Sequence, residues 1–63
     1  MKLKDVLEVV PIEETIMVIV YNNGDVEKFI GNSIELECSM AKHKFRKVFN
    51  IHSKNDILTI FVE

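Results

Sequence analysis

Leu3, Val6, Leu7 and Val10 recur at the i, i+3, i+4, i+7 spacing that gathers apolar side chains on one stripe of a helix. Asp5 near the start favours the helix dipole, and Pro11 disfavours helical geometry in the residue before it. The pattern predicts a short amphipathic helix over residues 2–9. A different period follows. β-Branched residues dominate Thr15 to Val20, and Asn23-Gly24 offers the positive φ angles of a type I′ turn, so "TIMVIVYNNGDVEKFI" reads as a β-hairpin pairing Tyr21 with Val26 and Val18 with Phe29. Its first strand is apolar on both faces, so both faces need cover.

"KVFNIHSKNDILTIFVE" predicts a second hairpin. Closed around "SKND", it sets His52 opposite Ile57, Ile51 opposite Leu58, Asn50 opposite Thr59 and Phe49 opposite Ile60. One face then holds Phe49, Ile51, Leu58, Ile60 and Val62, the expected core face. The other holds Val48, Asn50, His52, Ile57, Thr59 and Phe61. Between the hairpins, "SIELECSM" alternates like a strand, while Ile34, Cys38, Ala41, Phe45 and Val48 share a helical stripe with Asn32 as N-cap and Glu35 three residues on. Residues 33–41 therefore admit either element. A helix centred on residues 36–44 suits a crossover between hairpins. The expected fold is α+β: one small domain over residues 1–63, order αββαββ, with two hairpins forming a four-stranded antiparallel or mixed sheet beside two short helices.

Composition narrows the class. The chain has 63 residues, 48% of them hydrophobic and 29% charged, with two glycines and one proline, which argues against disorder. A domain this short buries only about 60% of the surface its unfolded chain exposes. Cys38 is the single cysteine, which suits a reducing compartment, and "MKLKDVLEVV" carries charges where a signal peptide has its apolar region. The longest apolar run, Ile16 to Tyr21, is too short to span a bilayer. The expectation is a soluble cytoplasmic protein with no membrane partner.

The order of "KLKDVLEVV", "VIVYNNGDVEKFIG", "MAKHKFRKVFNI" and "NDILTIFVE", with Gly31, Lys47-Val48 and the final strand as shared positions, resembles a family of small uncharacterised proteins encoded by phages and prophages of Gram-positive bacteria. "SIELECSM" fits that pattern least well. The resemblance implies a phage or mobile-element setting and an accessory or host-modulating role, and it carries no catalytic residues to transfer.

Charge is unevenly spread. Residues 1–40 hold three basic and eight acidic groups, and residues 41–63 hold five basic and two acidic ones. Lys42, Lys44, Arg46 and Lys47 form the densest cluster, a candidate contact for an anion or an acidic partner. With Phe45 and Phe49 interleaved they define an alternative function, binding of nucleic acid or nucleotide through segment 42–47. A net charge of −2 opposes that, so nucleic acid is not the expected partner. The run reads instead as cations near a helix C-terminus leading into a strand, with Phe45 and Phe49 in the core.

Other chemistry is sparse. Cys38, His43 and His52 lack the paired spacing of a structural metal site, and no cofactor is expected. Cys38 fits a buried, inert thiol on the helical stripe better than a nucleophile, so the chain is not expected to be an enzyme. The informative feature is the doubly apolar first and last strands. Two short helices on one face of the sheet would leave Met17, Ile19, Val48, Ile57 and Phe61 uncovered, together with Asn50, His52 and Thr59. One helix on each face would remove the problem. The expected role is a non-enzymatic interaction protein, a homodimer through its sheet, with a host or defence protein as a further partner.

Overall fold

The computed structural model describes residues 1–63 and shows an α+β domain of two helices and a four-stranded mixed sheet, in the order αββαββ. Helix α1 spans Leu3–Val9. Asp5 accepts a hydrogen bond from the Lys2 backbone N–H at 3.1 Å and an ion pair from Lys4 at 3.1 Å. The N–H groups of Leu3 and Lys4, which no turn of α1 can satisfy, donate to the carbonyls of Arg46 and Lys44, both at 2.9 Å. The last helical bond runs from Val10 N–H to Val6, and Pro11 follows.

Strands β1 (Thr15–Asn22) and β2 (Asp25–Gly31) form the first hairpin in the expected register, Tyr21 opposite Val26 and Val18 opposite Phe29. Its turn residues Asn23 and Gly24 have φ of 52° and 90°, as a type I′ turn requires. Helix α2 covers Ser33–Ser39, so the ambiguous central segment is helical. Its cap is reciprocal: Asn32 Oδ1 accepts from Glu35 N–H and Glu35 Oε1 from Asn32 N–H, each at 2.9 Å. A Cβ on Gly31 would come within 3.2 Å of Glu35 Oε1, so the small residue leaves room for that box.

Two expectations about this helix need correction. It starts and stops earlier than a helix centred on 36–44, giving way to a 3₁₀ turn at Ala41–His43. Its buried side is Ser33, Leu36 and Met40, continued by His43, whereas Ile34, Cys38, Ala41 and Phe45 are exposed. The helix ends at Ser39, so the 3.6-residue period cannot carry the other stripe to Phe45, and Leu36 and Met40 offer more apolar volume to the core than Cys38 and Ala41.

Strands β3 (Val48–Lys54) and β4 (Ile57–Val62) form the second hairpin, but not around a four-residue loop. Asn55 and Asp56 alone make the turn, with φ of 54° and 62°, and Lys54 pairs with Ile57. Asn and Asp tolerate the left-handed region, so "ND" closes a two-residue turn without glycine. The register is thereby moved two places: His52 faces Thr59, Ile51 faces Ile60 and Asn50 faces Phe61. A shift of two keeps Asn50, Ile51 and His52 on their expected faces, and Ser53 and Lys54, expected in the loop, extend the strand. A bulge between Val48 and Asn50 then reverses the remaining two. Val48 pairs with Val62 and packs against the core, while Phe49 turns to the opposite side and is 49% exposed.

The sheet order is β2-β1-β4-β3, with β1 and β4 parallel at the centre. The two doubly apolar strands are thus the two interior ones. Both helices lie on the same side: Leu3, Val6 and Leu7 of α1 and Leu36 and Met40 close on Ile16, Val18, Val20, Ile60 and Val62 in one buried cluster. A helix on each face is not what forms. No helix is long and apolar enough to cross a membrane.

Candidate functional site

Placing both helices on one side leaves the other side of the sheet bare. Its central strip is Met17 and Ile19 from β1 and Ile57, Thr59 and Phe61 from β4, all half-buried by their neighbours. Around it lie four more exposed hydrophobic side chains, Tyr21, Val26, Ile30 and Phe49, between 43% and 61% exposed. Asn50 opposite Phe61, and His52 opposite Thr59, add polar groups from edge strand β3.

Three aromatic rings meet at one end of this face. Tyr21 lies 5.7 Å from Phe49 and 6.4 Å from Phe61, and Phe49 lies 6.1 Å from Phe61. Tyr21, Val26, Ile30 and Phe49 were not among the residues expected here. Tyr21, Val26 and Ile30 follow from extending the Tyr21–Val26 pair by strand alternation; Phe49 required the bulge, which nothing in the sequence marks. Val48, expected on this face, is on the other.

Edge strand β2 distributes its polarity unusually. Val26 and Ile30 pair with Tyr21 and Met17 on the bare side, with Lys28 between them, while Asp25 and Glu27 occupy alternate positions on the helix side before Phe29 packs against the core. A sheet with one wetted face ordinarily alternates the other way, apolar inward and polar outward.

Segment 42–47 is structural in its backbone and exposed in most of its side chains. It follows the end of α2 rather than capping it, and no basic residue lies in that helix's last turn. Its carbonyls cap α1 instead, and Lys47 bridges to Lys2. Lys42, Lys44 and Lys47 are exposed and Arg46 half-buried. Phe45, expected in the core, is 60% exposed, with the ammonium groups of Lys2 and Lys44 at 5.3 and 5.1 Å from its ring centroid.

His43 is the one buried ionisable side chain, only 4% exposed. Arg46 Nε–H donates to its Nδ1 at 2.8 Å, which leaves the proton on Nε2, 3.4 Å from a Glu27 carboxylate oxygen. The ring meets Phe29 at a centroid distance of 5.8 Å. Burial holds the imidazole below its ordinary pKa, reinforced by Arg46 and Lys42 and opposed by Glu27.

Cys38, expected to be buried, is exposed on α2, and His52 projects from the opposite layer. No three His, Cys, Asp or Glu side chains are grouped to hold a metal ion. A shallow groove of about 340 Å³ runs between the helices, floored by Leu7 and Met40 and rimmed by Lys4, Lys44, Glu8 and Glu37. Comparison with protein-family models, with curated proteins and with solved structures found no match to the chain.

Proposed function

We propose that this chain is a non-enzymatic interaction protein that pairs with a second copy of itself through the bare face of its sheet. The observation that carries the reading is β2, which turns Val26 and Ile30 away from the helices on either side of a single Lys28, and sets Asp25 and Glu27 before Phe29 on the helix side. A strand patterned this way gains from a cover on the side the helices leave open.

The size of the face suits that cover. Four strands about 4.8 Å apart and six residues long at about 3.3 Å per residue span roughly 20 Å by 20 Å. Corrugation brings such a face to roughly the 500 Å² per partner that a small specific interface needs. Its composition suits it too. The middle carries no charge, and Lys28 and Lys54 stand on the edge strands, as in an interface with an apolar centre and a polar rim. Tyr21, Phe49 and Phe61 supply the aromatic anchors that dominate interface energetics.

The resemblance to small phage and prophage proteins supports an accessory role in a bacterial cytoplasm, with a host or defence protein as the eventual target of the dimer. Sedimentation equilibrium at micromolar concentration tests the pairing. A mass twice the 7.3 kDa of the chain is the expected result, and a homogeneous monomer would refute the reading.

A further inference from the structure

We infer that Phe45, flanked by Lys2 and Lys44, forms a second docking surface that takes an acidic segment of another protein, independently of how the sheet face is used. Nothing in the fold asks for these side chains. The carbonyls of Lys44 and Arg46 hold the first turn of α1, so at Lys44 and Phe45 the backbone does the structural task and the exposed side chains are free to differ. Yet a 60% exposed phenyl ring stands there with an ammonium group 5.1 Å away and another 5.3 Å away.

Those cations have no anion of their own. Lys4–Asp5 is the ion pair of the molecule, and the neutral His43 ring meets Glu27, so Lys2, Lys42, Lys44 and Lys47 have no carboxylate within 4.0 Å of their ammonium groups, in a chain of net charge −2. The ring adds a second attraction. Its faces are electron-rich and favour the ammonium groups, while its edge is positive and favours an oxygen anion lying between them. Both lysine side chains are long and exposed enough to swing from the ring toward a carboxylate at its edge, so one acidic group would draw on the two cations and the ring.

The neighbouring charges choose the class of partner. Lys44 also borders the groove between the helices, where Glu8 and Glu37 face the same space. A nucleic acid strand bears a charge on every nucleotide and would run its next phosphates against those glutamates. A protein segment can place a carboxylate at Lys2 and Lys44 and a neutral residue beside Glu8 and Glu37. Mixed charge on one side selects mixed charge on the other.

The test uses fluorescence anisotropy of a fluorescein-labelled peptide alternating Glu and Leu, at low salt, against the wild-type protein and three variants. Binding to wild type is expected, weakening as salt rises. The double variant Lys2→Gln/Lys44→Gln should bind about tenfold more weakly, the loss of two exposed charge contacts. Phe45→Ala should lose affinity with an unchanged melting temperature, since the ring is outside the core. Phe61→Asp, on the sheet face, should bind the peptide as wild type does, whatever its oligomeric state. Failure of the peptide to bind, equal binding by the Lys2/Lys44 and Phe45 variants, loss of binding in Phe61→Asp, or tighter binding of labelled oligo-dT would each overturn the inference.

Discussion

On strand β1, Ile16, Val18 and Val20 are fully buried beneath the helices, while Met17, Ile19 and Tyr21, each one residue along, look out from the other side of the same strand. Neither set is more apolar than the other in kind. What separates them is the neighbours: two short helices supply Leu3, Val6, Leu7 and Leu36, and Met40 at the end of α2 joins them on one side, with nothing on the other. The edge strands sharpen the contrast, because β2 gives Val26 and Ile30 to the uncovered side and Glu27 to the covered one. A small domain with a single helix layer can bury only one face of its sheet, and this chain is hydrophobic on both.

The largest expected effect breaks the covered face. Ile60→Asp would bury an unpaired carboxylate at a fully buried position. A domain of this size has roughly 3–9 kcal/mol of stability, so the variant should be unfolded by circular dichroism. Retained native structure would show that the helix side is less tightly packed than described.

Phe61→Asp sets the same change one residue along, on the uncovered face. It should stay folded yet weaken self-association by at least about 30-fold, the effect of losing an aromatic anchor worth about 2 kcal/mol. If it unfolds like Ile60→Asp, the two faces are not distinct in the way proposed.

A third experiment probes why charge sits on the covered side at all. His43 has its pKa held below the ordinary 6.5 by burial, with Arg46 and Lys42 adding to the effect and Glu27 opposing it. The unfolded chain therefore takes up the proton first, so the stability His43 contributes is complete above about pH 6.5 and declines as pH falls through its folded pKa. Urea midpoints should drop as pH falls below about 6.5, and His43→Gln should flatten that drop. An equal slope in the variant would place the titrating group elsewhere.

The smallest effect belongs to the helix layer. Asn32→Ala removes the oxygen that accepts from Glu35 N–H and should cost about 1 kcal/mol, read as a lowered denaturation midpoint without loss of self-association. A change in oligomeric state would tie α2 to the open face, contrary to the layering.

Much of this architecture is legible in the residues. The first helix, the Asn23-Gly24 turn and its register, the Asn32–Glu35 box and the order of elements all follow from local signals that the structure keeps. The misread parts share a cause. The Asn55-Asp56 turn, the bulge at Phe49 and the phase of α2 are each set by a one- or two-residue choice that periodicity does not encode. Those choices moved Phe49 and Phe45 out of the core and Val48 into it. The bare face was legible as surplus hydrophobicity in two strands, and its aromatic cluster was not, because Phe49 reaches it only through the bulge.

The most direct measurement of the central claim is an isotope-filtered NOE experiment on a mixture of labelled and unlabelled chains. The expected result is intermolecular contacts joining the rings of Tyr21, Phe49 and Phe61 to the methyl groups of Ile19, Ile30 and Ile57 of a second copy. Intermolecular contacts confined to α1 and α2, or none at concentrations well above micromolar, would contradict it.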